Sequence, residues 1–286
     1  MVQIIELENN VSYNPLLHTG GVDYDARTGL ISLIASAAPP FYTRGNDTSG
    51  PNYAYLYDPT NQKIVYTVDL NAAVTHGNYT GFQDAEQDPR GNMYVVGTYS
   101  ASIVRIGPDG RDVKTWYVQK PVTTTRGGFS GIASTGDILL VGDKNGGNGG
   151  RLVRFDSREE TGDPYYVPLD RPVNSTFNTT LPTSDGVYLP PKYNDTVLLM
   201  AQQAAGTAVI VRKDGNWDSA EFKGWIPCAT EGAANGSIVT ANVQIAESIY
   251  TIQEWLDWPP EGSLAGNRTT FPMIDITEAV EDLVRQ

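Results

Sequence analysis

The spacing of the turns constrains this chain more than any other feature. Residues 81–116 read GFQDAEQDPRGNMYVVGTYSASIVRIGPDGRDVKTW. Residues 81–86 form a first extended run. Asp88-Pro89-Arg90-Gly91-Asn92 follows, with a proline that presets φ and a glycine that accepts a positive one, as a tight turn requires. Residues 93–97 and 103–106 are too short and too rich in β-branched side chains for helices. Gly107-Pro108-Asp109-Gly110 turns the chain again, and residues 113–118 make a fourth run. Strand, turn, strand, loop, strand, turn, strand is the unit of a β-propeller, so the spacing predicts an all-β chain of four-stranded blades.

The same period recurs along the chain. A first blade spans runs at 21–25, 30–35, 53–57 and 64–70, and the stretch above is the second. A third takes 129–133, 138–142, 151–155 and 165–168; a fourth takes 185–189, 197–201, 208–212 and 221–226. The fifth has 237–242, 248–253 and 271–276. Residues 2–7 (VQIIEL) are a strand with no hairpin partner beside it, and the reading makes them the fifth blade's last strand, closing the ring. The count is five blades, or six if two short ones have been merged, at the long end of propeller repeats. No linker or charge run divides the 286 residues, so a single domain over 1–286 is expected. Thr277 is placed to cap a short terminal helix.

Composition narrows the function. A formal charge of −13 argues against nucleic acid and anionic membrane surfaces as partners. No apolar run approaches the roughly 20 residues of a membrane span. The lone Cys228 gives no internal disulfide and no CxxC metal site, and two histidines, His18 and His76, make a histidine metal centre improbable. There is no GxSxG elbow, and the glycine run at 146–150 lacks the Gly-Lys-Ser/Thr of a phosphate loop. N-x-S/T triplets begin at Asn10, Asn46, Asn78, Asn174, Asn178, Asn194, Asn235 and Asn267. Random placement gives roughly two or three, so the expectation is a secreted or secretory-lumen glycoprotein whose signal peptide has been removed.

Position then nominates a site. In a propeller one channel mouth is built where the chain enters each inner strand and from the loop between each second and third strand. The entering segments supply His18, Gln83, Ser130 and Asp185. The loops supply Phe41, Tyr42, Tyr99, Lys144, Gln202, Trp255 and Trp258. The two longest loops, in the first and fifth blades, are both aromatic. Together they make an apolar flap beside a ring of mostly uncharged polar groups, a cavity for a hydrophobic small molecule bearing a few oxygens.

The phrases GGVDYDARTGLISLI, GFQDAEQDPRGNMYVVGTYSASIVRIGPDG and GGFSGIASTGDILLVGD resemble the gluconolactonase and regucalcin type of propeller. LHTGGVDYD with APPF, GFQD-x(4)-RGNMYVVGT and GGFSGIASTGD more closely resemble the fungal Tri14-like proteins of secondary-metabolite clusters, over most of residues 16–170 and more weakly afterwards. The lactonase resemblance implies a channel metal held by a Glu, two Asn and an Asp. The matching positions here are Thr19, Gln83, Ser130 and Asp185, so three of four depart and no metal is expected. The Tri14-like resemblance implies, from some relatives, a hetero-Diels–Alderase that joins a tropolone-derived quinone methide to a macrocyclic terpene alkene. Such a reaction uses no cofactor. His18, Gln83, Ser130 or Lys144 would donate to the quinone-methide carbonyl, and Phe41, Tyr42, Tyr99, Trp255 and Trp258 would stack on the partners. A metal-dependent lactone or ester hydrolase and a non-catalytic metabolite-binding propeller are the alternatives.

Overall fold

The computed structural model describes residues 4–7, 11–74, 79–144, 150–170, 181, 183–228, 237–255 and 271–286. Five small sheets follow one another in the order of the chain and form a five-bladed β-propeller. The first comprises β1 (Leu17–Asp25), β2 (Leu30–Ala37), β3 (Tyr53–Asp58) and β4 (Lys63–Asp69), with the short helix α1 (Pro39–Tyr42) between β2 and β3 and α2 (Leu70–Ala73) after β4. The second comprises β5 (Thr80–Gln87), β6 (Met93–Tyr99), β7 (Ser102–Ile106) and β8 (Val113–Val118). The third comprises β9 (Phe129–Thr135), β10 (Ile138–Asp143), β11 (Arg151–Asp156) and β12 (Tyr165–Tyr166). The fourth comprises β14 (Val187–Tyr188), β15 (Val197–Ala201), β16 (Thr207–Arg212) and β17 (Ala220–Ile226), with β13 (Leu169–Asp170) added in parallel to β17. The fifth comprises β18 (Ile238–Ile245), β19 (Ser248–Glu254) and β20 (Met273–Asp275), and α3 (Thr277–Arg285) follows it.

Aspartates at the hairpin corners explain why the turns fall where they do. Asp25, Asp58, Asp88, Asp156 and Asp214 each accept the backbone N–H two residues on through Oδ1, at 2.8–3.0 Å. A carboxylate closing its own turn fixes the hairpin and hence the register. Apolar side chains between successive sheets form the cores. Leu56, Phe82 and Val95 lie between the first and second sheets. Tyr94, Ile103, Ile132 and Val141 join the second and third, and Leu140, Leu198 and Phe222 the third and fourth. Leu199, Val209 and Ile249 join the fourth and fifth under Val280 of α3. At the axis the inner strands touch without side chains between them. A Cβ on Gly131 would lie 2.4 Å from the Asp185 carbonyl oxygen, and one on Gly186 would lie 2.7 Å from that of Thr240.

Three expectations change. Ile4–Leu7, the part of the 2–7 run among the described residues, forms no strand, and the fifth sheet has three strands among the described residues, so Ile4–Leu7 does not close the ring by pairing. Its apolar residues are used differently. Ile5, Leu7 and Val11 pack on the face of the first sheet formed by Leu33, Ala35, Tyr55 and Tyr57, and Leu7 N–H donates to Ser12 Oγ at 2.9 Å. In the third blade the predicted last run pairs only at Tyr165–Tyr166, because Pro168 has no N–H for the ladder; the chain crosses to the fourth sheet as β13. The terminal helix is present, but the Thr277 hydroxyl donates to Asp275 Oδ1 at 2.6 Å and accepts from Ile249 N–H at 2.8 Å rather than capping. No helix among the described residues is long and apolar enough to cross a membrane.

Candidate functional site

The mouth has two chemically different sides. On the first two blades stands an aromatic wall. The Phe41 ring of α1 meets His18 of β1 edge-on, with centroids 4.7 Å apart, and Tyr99 at the end of β6 with centroids 6.0 Å apart. The wall closes down on Gly81 of β5, where a Cβ would lie 2.7 Å from the Tyr99 ring. Burial lowers the His18 pKa to about 4 against the opposing pull of the Ser36 carbonyl, so the imidazole is neutral at neutral pH. Its Nδ1 is shut off from solvent with no hydrogen-bond partner. Burial also raises the Tyr99 phenol. Tyr42, next to Phe41, is 38% exposed and sits further out.

Gln83 of β5 stands beside this wall. Thr98 Oγ1 lies 2.7 Å from the Gln83 side-chain amide and 2.7 Å from the Phe129 carbonyl oxygen. A hydroxyl has one proton and the carbonyl can only accept, so the satisfied arrangement has the Gln83 amide turned to donate to Thr98. Its nitrogen keeps a second N–H for a ligand.

The other side, on blades three to five, is polar and carries charge. Asp185, just before β14, accepts from Gln203 Nε2 at 3.2 Å. Burial raises its pKa; Lys144, at the end of β10, and the Gln203 bond pull the other way. Glu254, at the end of β19, is raised by burial and by the Asp185 charge. Ser130 of β9 is buried, and its Oγ donates to the Ser184 carbonyl at 2.7 Å, so it ties two inner strands together rather than facing the mouth. Gln202 is fully buried: its Oε1 accepts from Thr183 N–H at 3.3 Å and its carbonyl from the Thr183 hydroxyl at 2.8 Å. Trp255 is buried against Phe271, centroids 6.4 Å apart. Trp258 lies outside the described residues.

These neighbours do not suit the metal implied by the lactonase resemblance. Ser130 has spent its hydroxyl proton on the Ser184 carbonyl, Thr19 and Gln83 are neutral, and Asp185 is the single carboxyl group among the four matching positions. A hard cation needs several oxygen ligands with carboxylates among them, and no group of three or more His, Cys, Asp or Glu among the described residues is arranged to supply them.

Below the mouth lie acids for which the sequence alone gives no role, although Asp84 enters beside Gln83. Asp84 follows Gln83 on β5; its Oδ2 accepts from Ile132 N–H at 3.1 Å and its Oδ1 from Ala85 N–H at 3.0 Å. Burial, then the Asp23 and Asp185 charges, raise it from 3.8 to about 8 despite those bonds. Asp23 of β1 is raised to about 6, by burial and then by Asp25, and hydrogen-bonds Glu86 of β5, which burial raises well above its usual value. The signal available in the sequence was the alternation Asp84-x-Glu86, which places both carboxylates on one face of a strand.

Residues 54–228 match the family described as Mal s 1 allergenic protein-like. The chain belongs to that family. Within reach of this Mal s 1-like chain is trichothecene biosynthesis protein 14 of Trichoderma arundinaceum, 34% identical over 281 residues, covering 95% of this chain and 73% of that protein. The core trichothecene cluster (CTC) protein 14 of Fusarium sporotrichioides is 32% identical over 291 residues, covering 96% and 71%. The Tri14-like resemblance runs over nearly the whole chain. Among solved structures, the major Malassezia sympodialis allergen Mala s 1 superposes with a TM-score of 0.72 at 20% identity, over 91% of this chain and 78% of that one. A putative gluconolactonase superposes with a TM-score of 0.50 at 13% identity, over 84% and 72%, a likeness of fold alone.

Proposed function

We propose that the mouth is a cofactor-independent cyclase site of fungal natural-product biosynthesis, and specifically that of an intermolecular hetero-Diels–Alderase. Its substrates would be a tropolone-type quinone methide and a macrocyclic terpene alkene. The observation that carries the reading is the His18–Phe41–Tyr99 wall with the Gln83 amide at its foot. The relatives named for trichothecene biosynthesis support a role in secondary metabolism. A cycloaddition asks for no nucleophile. It asks for two apolar partners held face to face, for which effective molarities reach roughly 10⁵–10⁸ M. Aromatic rings supply the contact. Charge that develops on the quinone-methide oxygen meets the second N–H of Gln83, with Lys144 across the mouth. His18, kept neutral, adds a polar edge without bringing a solvated charge into the site.

The test is reconstitution. The purified chain is incubated with a quinone-methide precursor and a macrocyclic terpene alkene, and adducts are resolved by chiral chromatography. The expected result is one stereoisomer, formed faster than without protein. Identical rates and isomer ratios with and without the chain would sink the reading. Placement in the secretory lumen is part of the proposal, and the exposed Asn46 and Asn194, both in acceptor triplets, support it.

A further inference from the structure

The pairing of β1 with β2 gives the His18 side of the mouth a definite polarity. His18 and Ser36 stand directly opposite each other in the register of these strands, so their side chains share a face. His18 Nδ1 is shut off from solvent and makes no hydrogen bond, and Ser36 Oγ is in the same state. His18 Nε2 also makes no hydrogen bond but is not shut off. Phe41, edge-on to the imidazole, reaches on to Gly81, where its Cζ would lie 3.6 Å from an added Cβ. A Cβ on Gly20, a little further along β1, would lie 2.7 Å from the Gln83 carbonyl oxygen. The open imidazole nitrogen and the Gln83 amide therefore belong to strands in contact, at the foot of one aromatic wall.

A neutral imidazole has one N–H and one lone pair, and the neighbour of the buried nitrogen decides which is which. Nδ1 is the ring nitrogen nearer the backbone. The backbone group across from it is the Ser36 carbonyl, which opposes the lowering of the His18 pKa by burial. A carbonyl oxygen only accepts, so an N–H turned toward it is favoured and a lone pair is repelled, the more so away from water. The Ser36 hydroxyl can rotate to accept as well.

We propose that His18 carries its proton on Nδ1 and presents the Nε2 lone pair to the mouth, where it forms with the Gln83 N–H an acceptor–donor pair for an α-hydroxy carbonyl. The assignment of the ligand rests on the cycloaddition reading: on the tropolone-type partner the ring carbonyl meets Gln83 and the adjacent hydroxyl meets His18. His18 is then a specificity residue that accepts a hydrogen bond, in place of the donor role expected from its position.

Nitrogen NMR of the full chain with isotope-labelled histidine tests the first half. Two imidazoles are present, and His18→Asn identifies the signals of one. The proton is expected on Nδ1 both in the parent and in Ser36→Ala, which keeps the carbonyl. A proton on Nε2 in either protein overturns the proposal. Titration with tropolone and with its O-methyl ether tests the second half, at a pH that keeps the tropolone hydroxyl protonated and His18 neutral. Tropolone should bind the parent about tenfold more tightly than the ether, the worth of one hydrogen bond, and His18→Phe should bind the two about equally. Equal affinities in the parent, no binding of tropolone, or a preference that survives His18→Phe overturns the proposal. These readouts need no turnover, so a failed reconstitution beside an intact tropolone preference sinks the cyclase reading alone.

Discussion

Raising the pH from about 5 to about 9 should destabilise the propeller, with Asp84 the main cause. The carboxyl is raised by burial and by the Asp23 and Asp185 charges from 3.8 to about 8. A folded-state value above the unfolded one means that folding favours the protonated acid. The stability this contributes is fully present below about pH 4 and is lost as pH climbs through about 8; Asp23, raised to about 6, begins the loss earlier. A shift of about four units at about 1.4 kcal/mol each sets a ceiling near 6 kcal/mol. Asp84 is half-buried rather than sealed, so solvent screening leaves about 2–3 kcal/mol. For a chain of this size that corresponds to a melting temperature lower by about 5–10 °C at the alkaline end.

Asp84→Asn isolates the effect. The amide oxygen still accepts from Ile132 N–H, but the amide group that replaces the second oxygen faces the Ala85 N–H, at a cost of about 1 kcal/mol at every pH. The two pH profiles should therefore cross, with the variant slightly less stable than the parent near pH 5 and more stable near pH 9. Calorimetric or circular-dichroism melts across the range measure this. The general repulsion from a net charge of −13 acts on both proteins and drops out of the comparison. A parent equally stable at both ends, or a variant that keeps the full alkaline loss, would refute the reasoning.

Further outcomes follow from the same geometry. Gln83→Ala should cut turnover of the proposed cycloaddition about ten- to a hundredfold with an unchanged melting temperature, because it removes a donor and leaves Thr98 its bond to Phe129. Trp255 is buried against Phe271, so Trp255→Ala should cost about 3–5 kcal/mol of stability, and Trp255→Phe is the variant in which activity can be read by itself. Gly131→Ala should lower the denaturation midpoint sharply, since its methyl would lie 2.4 Å from the Asp185 carbonyl oxygen and 2.5 Å from Val187 N; an unchanged midpoint would show that the inner strands slide apart freely. Secretion from a fungal host should give a chain whose mass falls on endoglycosidase treatment, with Asn46→Gln and Asn194→Gln each removing part of the shift.

The blade period was legible because the turns carry their own chemistry. Asp25, Asp58, Asp88, Asp156 and Asp214 close their corners with bonds to neighbours two residues away, and such local bonds are written in the sequence. Ring closure was not legible. Burying Ile5 and Leu7 requires an apolar surface, and a strand ladder and the bare face of the first sheet satisfy that requirement equally. Site roles divided along the same line. His18, Phe41 and Tyr99 meet because their loops are adjacent in topology, whereas Ser130 and Gln202 turned inward to satisfy backbone groups on neighbouring strands, partners that no local pattern reveals.

The channel acids make the point most directly. Asp84-x-Glu86 and Asp23 lie on runs that the spacing reads as inner strands, but a strand face taken alone ordinarily reads as a solvated one. In a propeller the free face of an inner strand looks into the axis, so residues that seem to point to water converge on one another. The glycines that let β1 and β5 approach also bring Asp84 and Asp23 within reach, since a Cβ on Gly21 would lie 2.0 Å from Asp84 Oδ1. Close packing at the axis and proton retention there are thus two results of one arrangement. A substitution that separates these strands should lower the Asp84 pKa as well as the stability, and carbonyl NMR of that residue across pH would show both changes moving together.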